Sequence, residues 1–160
     1  MTAPRIFVGL GANLGDAAGT VRAAFDELAA LEGTELVARS ALYRSAPVEA
    51  QGPDFINAVA ELRSTLKPQA LLEGLQAIEA CHQRQRPYRN APRTLDLDLL
   101  FVGDLVLNSP SLVLPHPRLH LRAFVLEPLL ELAPDWSHPI LGALAGCRAD
   151  AADQAIERLA

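Results

Sequence analysis

The sequence predicts an α+β fold: a ferredoxin-like βαββαβ core, with an antiparallel sheet and its helices on one face, extended by a C-terminal hairpin strand and further helices. Three observations carry that prediction. Short apolar runs at 6–10, 36–43, 55–62 and 95–102 have the length of strands rather than helices. Two segments with helical spacing fall between the first and second runs and between the third and fourth. The 160 residues are half apolar, which suits a single domain spanning 1–160 with one sizeable core.

Taken in order, Ile6–Leu10 reads as a buried strand. A glycine-rich turn with Gly9, Gly11 and Gly15 follows, ending at Asp16. Its spacing is wrong for a dinucleotide fingerprint, and no P-loop Gly-Lys-Ser/Thr occurs. The turn either lines a ligand or simply joins strand to helix with Asp16 as cap. Val21, Ala24, Phe25, Leu28 and Leu31 repeat at helical spacing, so a helix runs over roughly 18–31. Gly33 is placed to end it. Leu36–Tyr43 is strand-like, and the loop from Ser45 to Asp54 is long for a hairpin connection.

In the strand Phe55–Leu62, alternation sets Phe55, Asn57, Val59 and Glu61 on one face. Phe55 and Asn57 could stack on and hydrogen-bond to a heterocycle, or be a core ring beside a satisfied amide. Pro68 opens a second helix, with Leu71, Leu75, Ile78 and His82 on one side and Leu72, Gln76 and Glu79 alongside. After the strand Leu95–Val102, a Gly103–Asp104 turn predicts a hairpin into Leu105–Leu107. Phe124–Leu132 reads as helix despite Pro128, and Ala149–Leu159 as a terminal helix.

Composition excludes some functions. A net charge of −5 argues against general nucleic-acid or anionic-membrane binding, though not against a local basic pocket. Cys81 and Cys147 lack metal-ligand spacing and read as free thiols. With no signal pattern and no apolar run near the ~20 residues of a membrane span, a cytoplasmic location is expected.

The chemistry concentrates at 84–101. Arg84, Arg86, Arg89 and Arg93 lead into a strand carrying Asp96 and Asp98. Guanidinium forks suit phosphate, and paired carboxylates suit a hard divalent cation. On a strand the two carboxylates share a face, roughly 6.6 Å apart along the backbone. They repel unless a cation or an arginine neutralises them. The residues alone allow either metal binding or an Asp–Arg network, for example with Arg93. Transfer of a phosphoryl-type group needs chiefly positioning and charge neutralisation, which metals and arginines supply. There is no Ser-His-Asp, Cys-His or zinc-ligand arrangement.

Five motifs in order then add a resemblance over essentially the whole chain. They are a Gly-x-Asn-x-Gly-Asp run ending at Asp16, Tyr43-Arg-Ser-Ala-Pro, Pro53-Asp-Phe-x-Asn-Ala58, Arg89-x-Ala-Pro-Arg-Thr-Leu-Asp-Leu-Asp98 and Pro115-His-Pro-Arg-Leu-x-x-Arg-Ala-Phe124. The chain resembles the 6-hydroxymethyl-7,8-dihydropterin pyrophosphokinase family of folate biosynthesis. The resemblance implies transfer of the β,γ-pyrophosphoryl group of ATP to the pterin hydroxymethyl oxygen, giving AMP. It implies two Mg²⁺ ions on Asp96 and Asp98, with Arg84 and Arg93 completing the catalytic set. ATP contacts implied are Gln76, Glu79, Arg84, Arg86, Arg93, Leu99, His116 and Arg122. Pterin contacts implied are Ser45, Val48, Phe55, Asn57 and Phe124, the two rings forming a sandwich. A monomer is expected, and 84–93 is expected to act as a lid. Asn90 stands where some members have a sealing tryptophan; Ala12, Ser45 and Gly52 are further departures. Two rival readings compete with this one: a non-catalytic ferredoxin-like binding module, and a metal-dependent phosphohydrolase using the same carboxylates.

Overall fold

A computed structural model describes residues 4–46, 53–83 and 95–159. Arg84, Arg86, Arg89, Asn90, Arg93, Val48 and Gly52 lie outside the described residues. The elements up to the central strand are β1 (Ile6–Ala12), α1 (Ala17–Ala29), β2 (Thr34–Arg39), β3 (Tyr43–Ser45), β4 (Phe55–Ser64), α2 (Pro68–Gln83) and β5 (Asp96–Val102). Beyond it come β6 (Leu107–Asn108), β7 (Val113–Leu114), α3 (Ala123–Leu132), β8 (Ser137–His138), β9 (Gly142–Ala143), α4 (Leu144–Asp150) and β10 (Ile156–Arg158).

The main sheet runs β10-β3-β4-β1-β5, with β2 also pairing β4, and every described pairing in it is antiparallel. Strand alternation gives it two apolar faces. Ile6, Val8 and Leu10 of β1, Ala58, Ala60 and Leu62 of β4, and Leu97 and Leu99 of β5 pack under the two long helices. There they meet Val21, Phe25 and Leu28 of α1 and Leu71, Leu75 and Ile78 of α2. The opposite face carries Phe7, Val59 and Phe101, covered by Leu126, Leu129 and Leu130 of α3. Asp16 caps α1, its carboxylate accepting the Gly19 N–H at 3.0 Å. Glu61 faces the α3 side at 8% exposure. Arg5 neutralises it with two hydrogen bonds of 2.9 Å each.

A bulge in β5 resets which of its side chains face α3. Val8 pairs with Leu99 but Phe7 pairs with Phe101, so Leu100 is an extra residue on β5. Asp96 and Asp98 therefore share a face with Phe101 rather than with Val102, which packs on the α1–α2 side.

Three expectations need correction. The strand expected over 36–43 is two strands. At the break, Ser40 keeps the ladder going: its N–H donates to the Val59 carbonyl at 2.9 Å, and its Oγ accepts the Val59 N–H at 2.9 Å. The hairpin expected at Leu105–Leu107 does not extend β5. Leu107–Asn108 pairs instead with Val113–Leu114. The two helices of the expected core, α1 and α2, do share one face, and α3, one of the further helices, covers the other. The expected terminal helix at 149–159 is the end of α4, a turn, and then β10 on β3, with Ile156 opposite Ser45. Pairing with an open strand edge overrides local helical preference there.

Candidate active site

The site forms where the α3-facing side of the sheet is left uncovered, beside the N-terminus of α3. β4 contributes Phe55 and Asn57 by alternation. Asn57 is 3% exposed, and its Nδ2 donates to the Ser45 hydroxyl of β3 at 2.7 Å. That bond fixes the amide, leaving Oδ1 directed past Gly11, where an added Cβ would lie 3.4 Å away.

β5 contributes Asp96 and Asp98, both half-buried. Their cross-strand partners on β1 are Gly11 and Gly9, respectively. Gly11 leaves the sheet surface open between its two partners Asn57 and Asp96, whereas the Leu100 side chain lies over Gly9. Among the described residues Asp98 makes no ion pair.

The third wall comes from the segment before α3. Leu119, buried in a single 3₁₀ turn (Leu119–Leu121), anchors it. Arg118 and Arg122 point into the cavity, and the Arg122 guanidinium lies 5.5 Å from the Phe124 ring centroid. His116 is tied to β5 by its N–H, which donates to the Leu100 carbonyl at 3.0 Å. Burial lowers its pKa, partly opposed by Asp98 and reinforced by Arg122 and Arg118, so the ring is neutral at neutral pH. Its Nδ1 accepts the Arg118 N–H at 3.2 Å, which puts the ring proton on Nε2.

These groups, His116 apart, enclose an open cavity of about 570 Å³. Of the residues expected from sequence, Ser45, Phe55, Asn57, Asp96, Asp98, Arg122 and Phe124 all line it. Four of the expected ATP contacts among the described residues do not, His116 among them. Gln76 is exposed on α2, and Leu99 is 4% exposed in the core on the α1–α2 side. Glu79 accepts the Leu97 N–H at 2.8 Å, which ties α2 to the β5 edge. Sequence reasoning missed Arg118, Leu121 and Gln154, which also line the cavity. Arg118 stood inside a quoted motif, whereas nothing local marked Gln154.

The donor set suits a hard divalent cation. Two adjacent carboxylates on one strand satisfy part of an oxygen shell, leaving the remaining positions to phosphate oxygens and water. No group of three or more His, Cys, Asp or Glu ligands occurs among the described residues, so a closed protein cage is not offered there. Arginines across the cavity suit the phosphates.

Gly11 gives a direct check on the open sheet surface. A Gly11→Ala methyl meets only the Asn57 Oδ1, at ordinary contact distance. Stability is expected to hold or rise by up to about 1 kcal/mol. Turnover is expected to drop about tenfold or more, because the methyl displaces whatever sits between Asn57 and Asp96. Thermal melting and steady-state rates on the same preparation check both halves.

Comparisons with known proteins place the chain in a family. The chain is 47% identical over 136 residues to the 2-amino-4-hydroxy-6-hydroxymethyldihydropteridine pyrophosphokinase of Pseudomonas aeruginosa, covering 84% of each chain. It is 45% identical over 135 residues to that of Synechocystis, covering 84% of this chain and 69% of the relative. Among solved structures, an HPPK-DHPS in complex with substrates superimposes with a TM-score of 0.74 over 94% of this chain at 11% identity. This chain spans only 43% of that longer protein, and at such identity the likeness speaks for the fold alone. The model of one family matches residues 7–134, the stretch that carries both carboxylates, both rings and the arginines of the cavity. The chain therefore belongs to the 7,8-dihydro-6-hydroxymethylpterin-pyrophosphokinase (HPPK) family.

Proposed function

We propose that this chain transfers the pyrophosphoryl group of ATP to 6-hydroxymethyl-7,8-dihydropterin in folate biosynthesis, with AMP as the second product. The observation that carries the reading is the juxtaposition in one cavity of Asp96 and Asp98 with Arg118 and Arg122 and with Phe55, Asn57 and Phe124. A phosphate-and-metal site and a site for a flat polar heterocycle thus adjoin. The strand order β3-β4-β1-β5 supports a ferredoxin-like description of the core.

In this reading Phe55 and Phe124 hold the pterin ring, and the fixed Asn57 amide reads its polar edge. The Ser45 hydroxyl, as acceptor from Asn57, sets which amide group faces the ligand. Asp96 and Asp98 would hold two Mg²⁺, which would supply charge neutralisation of the triphosphate. Arg118 and Arg122 hold phosphate oxygens, and neutral His116 offers Nε2–H as a further donor. The pterin hydroxymethyl oxygen gives up its proton to solvent and forms the new bond to the β-phosphorus, while the bond from that phosphorus to the α,β-bridging oxygen breaks and AMP departs with that oxygen. Arg84, Arg86 and Arg93 complete the phosphate contacts, Arg84 and Arg93 as part of the catalytic set. Val48 completes the pterin pocket, and Gln76, Glu79 and Leu99 form part of the nucleotide side. We take the chain to act as a monomer in the cytoplasm; no helix among the described residues is long and apolar enough to cross a membrane.

One assay tests the reading. Purified protein with ATP, Mg²⁺ and the pterin should form AMP and pterin pyrophosphate in equal amounts, and EDTA should stop it. ATP loss without pterin product would point to hydrolysis, and no turnover to a binding module.

A further inference from the structure

Gln154 lies 20 residues beyond the stretch matched by the family model, yet it lines the cavity. Its carboxamide is used at both ends. Oε1 accepts the Ala123 N–H at 2.9 Å, and Nε2 donates to the Leu121 carbonyl at 2.7 Å. Those two backbone groups flank Arg122. Arg122 is the N-cap of α3 and provides no side-chain cap, and Gln154, 31 residues beyond Ala123, accepts the Ala123 N–H, one of the first-turn donors the helix itself cannot satisfy. The same segment reaches the opposite wall. Two residues on, Ile156 pairs with Ser45, and Leu159 N–H donates to the Leu42 carbonyl at 2.8 Å. Ser45 in turn holds Asn57.

We propose that Gln154 is a positioning residue for the acceptor pocket: with β10 it braces the Leu121–Phe124 turn against β3, fixing the distance between Phe124 and the Ser45–Asn57 pair. The inference rests on the pterin reading of that pocket. Its effect falls on the acceptor more than on ATP. The Phe124 ring follows the backbone at the start of α3, so a displaced turn carries the ring with it. Arg122 ends in a long side chain that can recover its phosphate contact after a small backbone shift. Misplacement on the scale of 1 Å is enough to matter for a stacked, oriented acceptor.

Gln154→Ala and Gln154→Glu test this. Glutamate keeps the size and the acceptor for Ala123 N–H but loses the donor to Leu121. The alanine variant is expected to raise the KM for pterin about tenfold, with the KM for ATP moving by about twofold or less. The glutamate variant, whose second carboxylate oxygen faces the Leu121 carbonyl where the amide donated, should raise the pterin KM at least as much. Binding of fluorescent 6-hydroxymethylpterin in the presence of Mg²⁺ and a non-hydrolysable ATP analogue should weaken in both variants. A purely structural role would lower the melting temperature and the active fraction while leaving the pterin KM of the remaining enzyme unchanged; that result overturns the proposal. So does an equal rise of both KM values. Absence of pterin-dependent AMP formation by the wild type would instead sink the functional reading, and the binding titration still judges the brace.

Discussion

Asp98→Ala is expected to lower turnover by about a thousandfold or more, because it removes a fixed charge from the point where phosphoryl-type transfer concentrates charge. The fold should survive. Asp98 is half-buried and makes no ion pair among the described residues, so no partner there is left with an uncompensated charge. The melting temperature of the unliganded variant should therefore equal that of the wild type. Asp98→Asn sharpens the test: it keeps shape and hydrogen-bonding capacity but not charge, and should lose nearly as much activity as alanine. Manganese binding in the presence of an ATP analogue, followed by electron paramagnetic resonance, should weaken in both variants. Activity within about tenfold of wild type in either variant would remove Asp98 from the metal role.

That carboxylate pair was readable in the sequence because a strand period converts spacing directly into direction. Asp96, Asp98, Phe55 and Asn57 each lie on a strand, and alternation put each pair on one face before any tertiary information was needed. The pairs could not be assigned to the same face from pattern alone, since that depends on the register of β4 and β5 against β1. The bulge at Leu100 was equally silent in sequence. It decides that Phe101 joins the α3 side while Val102 joins the other. The third wall was harder still. Arg118 and Arg122 owe their direction to a 3₁₀ turn anchored by Leu119, and Gln154 owes its place to β10, which local preference assigned to a helix. Tertiary pairing determined that segment, and no window of sequence contains its partner.

Phe124→Ala is the second large effect, and its signature is a ratio. Removing an aromatic ring from a stacked base-like ligand costs about 1–3 kcal/mol, which corresponds to about 5–150-fold in the pterin KM. ATP should be affected less but not nil, because the ring also sits 5.5 Å from the Arg122 guanidinium. A cation–π contact at a partly exposed site contributes about 0.5–1 kcal/mol, so the ATP KM should rise only about two- to fivefold. Equal losses for both substrates would mean that the substitution disturbed the start of α3 rather than a stacking surface. Phe124→Leu separates burial from stacking: it restores apolar area without a π face and should recover only part of the pterin affinity. The partner ring supplies the last constraint. If Phe55 and Phe124 contact opposite faces of one heterocycle, each holds the ring in the plane that the other needs. Phe55→Ala and Phe124→Ala combined should then cost less than the sum of the single losses, since the first removal already frees the pterin to tilt. Strict additivity would place the two rings on separate parts of the ligand and break the sandwich, while leaving the metal side of the cavity as it stands.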